Sequence, residues 1–400
     1  MDDRCRDKAE ALHVAGEVIA YSQAVCADVR EEALAAVRAR MVDTDPLYAL
    51  FTSGSTGTPK GAIICHRNVI SYSAWFVETF GIDENAVFGS QTPFYFSMSV
   101  SDVFATLRAG AQLHILPKML FSFPMKLLEF LNERRVNTIY WVPSALCIVA
   151  NWKALDYGSL PLLRKVLFAG EVMPMKQLNY WRQKLPDALY ANLFGPTETT
   201  DICTYYVVDR AFSDDETLPI GKACDNCDVF LVKEDGTPAA VGEEGELYAR
   251  GPFVALGYYR DPDKTAAAFV QNPLQDAYPE TVYRTGDLVR YNERGELLYI
   301  TRRDFQIKRM GYRIELGEIE AAAGAMDGVT ACAALFDRQR ERLVLVVQGK
   351  KMEEDAMRRT LGQRLPAYMI PDVCRRVRQM PYNQNGKIDR QWLLAHYEEL

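Results

Sequence analysis

A large α/β domain of mixed sheets and crossover helices, followed by a small C-terminal α+β domain, is the expectation from three features of this chain. Short apolar runs alternate with helix-like stretches from Tyr48 to Pro219, strand and turn signals dominate from there to Arg303, and a compact mixture of helix and strand fills the remainder. In the first region AVFGSQTPF, QLHILP, VNTIYWVP and KVLFAG are interleaved with FPMKLLEFLNERR and MPMKQLNYWRQKLP, the rhythm of strands joined by helices. Ahead of it, residues 1–45 are alanine-rich and charged, with apolar positions at three- and four-residue spacing, and read as a stub of one or two helices. Beyond Pro219, GELYARG and ELLYI with the turn signals EDG and ERG mark a more β-rich portion. Asp304 then opens the smaller unit, in which GEIEAAAGAM reads as a helix and RLVLVVQG as a strand. The expected domains are therefore 1–303 and 304–400.

Composition excludes several classes. With 400 residues, 48% apolar and 25% charged, the chain is an ordinary globular one, long enough for one large and one small domain, and neither disordered nor fibrous. The net charge is −7 and its 46 basic residues are interspersed with 53 acidic ones, so no nucleic-acid partner is expected. The start, MDDRCRDKAE, lacks the apolar core of a signal peptide. The longest nearly uncharged stretch, Val136 to Trp152, is short for a membrane span and interrupted by Pro143. A cytoplasmic monomer away from membranes is the expectation. Nine cysteines without an export signal read as free thiols, and Cys224 and Cys227 form a lone CxxC far from a second ligand pair, so no metal site is expected there.

The segment Tyr48 to Gly61, YALFTSGSTGTPKG, has the chemistry of a phosphate loop: glycines that free backbone N–H groups, Ser and Thr hydroxyls, and one lysine. It is not a Walker loop, because Pro59 stands where glycine precedes the lysine of that signature. A Gly/Ser surface linker is the plainer reading of such composition, but YALF before it and AII after it frame a strand-loop-strand. Three further segments follow in order: NLFGPTETT (Asn192 to Thr200), YRTGDL (Tyr283 to Leu288) and NGKIDR (Asn385 to Arg390). With GELYARGPFVALGYYRDPDKTAAAF, RDFQIKRMGYRIELGEIE and LPAYMIP, they make the chain resemble the adenylate-forming superfamily from about Asp45 to its end. Within that superfamily it is similar to the amino-acid adenylation domains of peptide synthetases and to D-alanine:carrier-protein ligases.

The resemblance implies ATP-dependent, Mg²⁺-assisted activation of a carboxylic acid as its adenylate, followed by transfer to the phosphopantetheine thiol of a separate carrier protein. It implies that Thr52, Ser53, Gly54, Ser55, Thr56, Gly57 and Lys60 hold the β- and γ-phosphates, that Asn192, Phe194 and Gly195 receive the nucleotide with Phe194 on adenine, and that Thr197 approaches the α-phosphate. Glu198 is implied as the Mg²⁺ carboxylate, Asp287 as the ribose ligand and Arg302 as a nucleotide contact at the domain junction, with Thr301 where glycine is usual. Lys387 is implied as the lysine that reaches the reacting carboxylate, Asp304 as a hinge, and Gly311 as a wall of the thiol channel. Read without the resemblance, NLFGPTETT is a strand-turn-helix junction capped by Thr199 or Thr200, Asp287 is a turn residue, and NGK is a hairpin turn with a solvated lysine. His66 resembles a helix start.

The acid pocket departs from the family pattern. Where relatives carry an aspartate for the substrate ammonium, the segment here reads Phe96-Ser97-Met98-Ser99-Val100, and Ser97 supplies no charge. Asp102, one helical turn on, or Asp201 could substitute, Asp201 by pairing with an amine displaced from the usual place, as in a β-amino or diamino acid; for Asp201 a local cap or an arginine partner is an equal alternative. The other implied pocket positions, Met98, Ser101, Ser144, Leu167, Ala169, Leu193 and Ile202, are mostly small or medium, which favours a compact acid. D-Alanine is the leading candidate, although Ala169 replaces a cysteine common in its ligases. The phosphate loop also begins nearer the start than in relatives, so the large domain is expected to lack part of the usual fold and to expose apolar surface. Two other functions stay open: an acyl-CoA synthetase, and an inactive remnant that only binds nucleotide or carrier. The chain ends soon after NGKIDR, so no fused carrier domain is expected.

Overall fold

The computed structural model describes residue 11 and residues 17–52, 59–214, 216–302, 306–350, 353–381 and 388–400. Chain contacts divide it into two units, Met1–Asp45 and Pro46–Leu400. In the first, helices span Tyr21–Ala24 and Glu31–Arg38. The second of these carries Glu31 and Glu32 in its first turn and Arg38 in its last, charges that suit the helix dipole.

The second unit is built on a seven-stranded sheet in the spatial order Gln112–Ile115, Val87–Ser90, Thr138–Trp141, Lys165–Ala169, Leu189–Phe194, Thr204–Val207, Lys222–Ala223. The first five strands are parallel and the last two join antiparallel. Ile139, Tyr140, Trp141, Val166, Leu167 and Phe168 have no exposed surface, as expected of parallel strands covered on both faces. Ile115 on the outer strand and Leu107 on the helix before it are largely exposed, so apolar surface does remain open at that edge.

The helix His66–Phe80 shows how local chemistry sets an element that later matters. Its start is fixed by Asn68, whose Oδ1 accepts the Cys65 N–H at 2.7 Å while its Nδ2 donates to the carbonyls of Pro252 and Val254. It stops at Gly81, which takes the left-handed conformation at φ 56°. Val69, Tyr72, Trp75, Phe76 and Phe80 form its buried stripe. The Tyr72 ring is wedged edge-on against Phe253 at 5.5 Å and beside Trp75 at 5.6 Å, contacts worth ~0.5–1.5 kcal/mol each that leave the ring one position.

Two smaller sheets complete the large part. Pro46–Thr52, Lys60–Cys65 and Gly257–Tyr258 pair antiparallel, and the strand-loop-strand frame around the glycine-rich segment is present. Asp228–Val232, Glu244–Arg250, Thr281–Tyr291, Phe269–Gln271 and Leu297–Arg302 form an antiparallel sheet of five. After residue 306 come the hairpin Gln306–Arg309 with Tyr312–Glu315, and a sheet of Val329–Asp337, Arg342–Gly349 and Val373–Val377. The expected helix and strand appear there as Leu316–Gly324 and Arg342–Gly349. The eight cysteines among the described residues are free thiols, and no group of metal-ligating side chains occurs among those residues. Among them, too, no helix is long and apolar enough to cross a membrane.

Candidate functional site

An open cavity of about 920 Å³ lies where the sheets and the hairpin meet, walled by Thr52, Ser97, Met98, Ala169, Gly195, Thr197, Asp201, Ile202, Asp287, Arg302 and Gly311 among others. These residues come from seven separate segments of the chain. Ser53, Gly54, Ser55, Thr56, Gly57, Asp304 and Lys387 lie outside the described residues.

Two charged pairs carry nucleotide candidates: Asp287 with Arg302 on the cavity wall, and Lys60 with Glu198, which do not line the cavity. Arg302 donates from Nη1 to Asp287 Oδ1 at 3.0 Å and from Nη2 to the Thr285 carbonyl at 2.9 Å, with both side chains almost wholly buried. Their strands pair in register, Asp287 opposite Arg302, which is why residues fifteen apart meet. Lys60 Nζ lies 3.3 Å from Glu198 Oε1 and 3.2 Å from the Tyr258 hydroxyl, which itself donates to Glu198 Oε1 at 2.6 Å. Glu198 has no exposed surface. Thr52 Oγ1 is buried with no hydrogen-bond partner among the described residues, a donor held beside the end of the strand that leads into the loop.

Several candidates sit behind the wall. Asn192 Nδ2 donates to the Pro219 carbonyl at 2.8 Å. Phe194 is buried beneath Lys308, whose Nζ is 4.7 Å from its ring centre, and lies 5.7 Å from Tyr299. Contrary to expectation, Ser101, Ser144, Leu167 and Leu193 do not line the cavity. Ser101 and Leu193 are buried beneath it, and Leu167 is interior to its strand. Ser144 instead presents its backbone N–H to Glu171 Oε2 at 2.9 Å.

Asp201 forms the most unusual environment. It is 2% exposed and its Oδ2 accepts hydrogen bonds from the hydroxyls of Tyr72 at 3.0 Å, Ser101 at 2.9 Å and Tyr140 at 2.9 Å. The Ser97 hydroxyl, also on the cavity wall, adds to the polar surroundings of the carboxylate. Burial raises the Asp201 pKa, and the four hydroxyls oppose that rise. Burial also raises the two phenols well above their ordinary range, assisted by the Asp201 charge, so both stay protonated donors. Among the described residues, Asp201 is thus neither a local cap nor an arginine partner. The backbone around it is tightly determined: a Cβ on Gly195 would stand 2.5 Å from the Asp201 carbonyl oxygen, and Thr200 holds φ at 71°, a strained value for a β-branched residue. The Thr200 hydroxyl donates to the Phe253 carbonyl at 2.7 Å, which helps to hold that conformation.

Asp102, the other candidate counter-charge, is buried behind the wall with both carboxylate oxygens unpartnered among the described residues. Burial pushes its pKa up to about 7, with the Asp201 charge adding to the rise.

Motif reading did not mark Glu171, Tyr72, Tyr140, Tyr258, Lys308 or Tyr312. Glu171 Oε1 accepts the Gly311 N–H at 2.9 Å while its other oxygen holds Ser144, so one carboxylate joins the hairpin turn to the helix Pro143–Asn151. Tyr312 stacks on Tyr368 at 3.8 Å and meets Phe96 edge-on at 4.9 Å. Glu171 directly follows the KVLFAG strand signal, and that position was its only mark in the sequence.

Comparison with known proteins places these features in a family. The family model described as AMP-binding enzyme matches residues 3–259. An L-proline--[L-prolyl-carrier protein] ligase of Pseudomonas fluorescens is 36% identical over 353 residues, covering 86% of this chain and 68% of that protein. A D-alanine--D-alanyl carrier protein ligase of Bacillus cytotoxicus is 34% identical over 366 residues, covering 88% and 71%. Among solved structures, the Vibrio cholerae adenylation domain AlmE in complex with glycyl-adenosine-5′-phosphate is similar with a TM-score of 0.80 and 25% identity, covering 100% of this chain and 74% of that one. With this match over more than half its length, the chain belongs to the AMP-binding enzyme family.

Proposed function

We propose that this protein activates a small amino acid with ATP and passes the aminoacyl group to the pantetheine thiol of a carrier protein. The observation that carries the reading is the convergence of Thr52, Thr197, Asp287 and Arg302 with the Asp201 pocket on one cavity, because adenylation needs a phosphate site, a ribose site and an acid site within bonding distance. In the first step a carboxylate oxygen bonds to the α-phosphorus as the bond to the β-phosphate oxygen breaks, releasing pyrophosphate. In the second, the thiol sulfur bonds to the acyl carbon as AMP leaves, and the thiol proton is lost.

The assigned roles are these. Thr52 and Lys60, with Ser53, Gly54, Ser55, Thr56 and Gly57, take the β- and γ-phosphates; Asn192, Phe194 and Gly195 form the adenine side; Asp287 takes the ribose hydroxyls with Arg302 beside it. Thr197 meets the α-phosphate, and Lys387 neutralises charge on the reacting oxygens. Glu198 fits Mg²⁺ as a buried carboxylate of hard oxygen donors, and the ion would neutralise phosphate charge there. The proposed domains are 1–303 and 304–400, with Asp304 as hinge. Gly311 on the cavity wall supports reading this arrangement as the one that admits the thiol. Free thiols among the described residues favour a reducing, cytoplasmic setting, and we take the working form to be a monomer.

ATP–pyrophosphate exchange with Mg²⁺, run against D- and L-amino acids including alanine and proline, tests the reading. Exchange with a small amino acid, reduced at least ~100-fold by Lys387→Ala, is the expected result. Exchange insensitive to that substitution, or none with any acid, would overturn it. Transfer to a holo-carrier protein rather than to coenzyme A is expected in the second step.

A further inference from the structure

We propose that Asp201 is the counter-ion of the substrate's ammonium group, with Ser97 beside it, so that the activated acid is recognised by a charge rooted after the Thr197–Thr199 turn. This rests on the adenylation reading above. Among the described residues, four charged ones line the cavity: Asp201, Asp287, Arg302 and Lys308. Asp287 is matched by Arg302. Asp201 has hydroxyl partners alone among the described residues, and three of these converge on Oδ2, leaving Oδ1 outside that trio on a residue that faces the cavity. A carboxylate so desolvated is costly without a cation, and hydroxyls recover only part of what water supplied.

The surroundings are arranged for an ionised group. Tyr72, Ser101 and Tyr140 come from two helices and a strand, are fully buried, and can donate to only one oxygen at a time. Ser97 precedes the helix Met98–Ala109 and makes no cap hydrogen bond, and its hydroxyl favours the ionised form of Asp201. Both Ser97 and Asp201 line the cavity, so a carboxylate placed at 97 would face the same space. An acid without an amine would leave the Asp201 charge uncompensated when it fills the cavity and expels water.

Matched pairs test this: alanine against propionate and lactate, and proline against cyclopentanecarboxylate, each in pyrophosphate exchange. Exchange is expected only with the amines. Asp201→Asn is expected to raise the KM for the amino acid roughly 100-fold with the KM for ATP within about twofold, and adding Ser97→Asp to it is expected to restore at least ~10-fold of the loss. Equal exchange with the desamino acids, an equal rise in both KM values, or no recovery in the folded double variant would overturn the proposal. Calorimetry on the unaltered protein with the 5′-O-sulfamoyl adenosine conjugates of alanine and propionate reads the preference without turnover. Equal binding of the two overturns the proposal. Tighter binding of the alanine conjugate upholds it, and if exchange were then silent it is the ligase reading that would fall.

Discussion

Asp102 and Asp201 are carboxylates buried to the same degree with opposite provisions, and the contrast separates a binding group from a strained one. Asp201 has three hydroxyls on Oδ2 and a face on the cavity. Asp102 has no hydrogen-bond partner among the described residues, and burial lifts its pKa from 3.8 to about 7. A raised folded-state pKa means that the folded protein holds a proton the unfolded chain has released between those two values. The associated stability is fully present below pH 3.8 and is lost as pH rises through about 7. Asp102→Asn should therefore stabilise the protein at pH 8 by ~1–3 kcal/mol and leave it nearly unchanged near pH 4, as denaturant unfolding at the two pH values would show. Thr197, Asp287 and Arg302 were legible in the sequence because short contiguous motifs carry them. Tyr72 and Tyr140 were not, since they reach Asp201 from 129 and 61 residues away and read locally as core aromatics.

Among the elements, the hairpin Gln306–Arg309 with Tyr312–Glu315 has the most consequence for its size. Its turn is made by Met310 and Gly311, both at positive φ. At Gly311, φ is 78° and a Cβ would stand 2.8 Å from Val142 Cγ1, so any side chain is both strained and obstructed. Gly311→Ala is expected to slow carrier loading by at least ~10-fold while pyrophosphate exchange stays within about twofold, since the strain of ~1 kcal/mol or more falls on one docked arrangement. Measuring the two half-reactions side by side checks it. The strand and helix pattern was readable here from RMGYRIELGEIE; where the turn would rest was not, because Val142 belongs to the large part of the fold and touches it only through tertiary packing.

For the molecule as a whole, Glu171 is a hydrogen-bonded link between the helix Pro143–Asn151 and that hairpin. Its two oxygens hold the N–H groups of Ser144 and Gly311, 27 and 140 residues away in sequence. Glu171→Ala should cost the docked arrangement ~1–3 kcal/mol, the value of hydrogen bonds to a charged group, and so reduce carrier loading about 10-fold or more with adenylate formation preserved; Glu171→Gln, which keeps one acceptor, should lie between. Equal loss in both half-reactions would instead mark Glu171 as part of the acid pocket. The chain alone settled the α/β architecture, the strand-loop-strand at the glycine-rich segment and the family, because periodicity and contiguous motifs are local properties. It also showed that Ser97 lacks a charge. Which carboxylate makes up for that, Asp201 in its ring of hydroxyls and not Asp102, depended on folding, because desolvation and hydrogen-bond partners are set by residues that meet only when distant segments pack together.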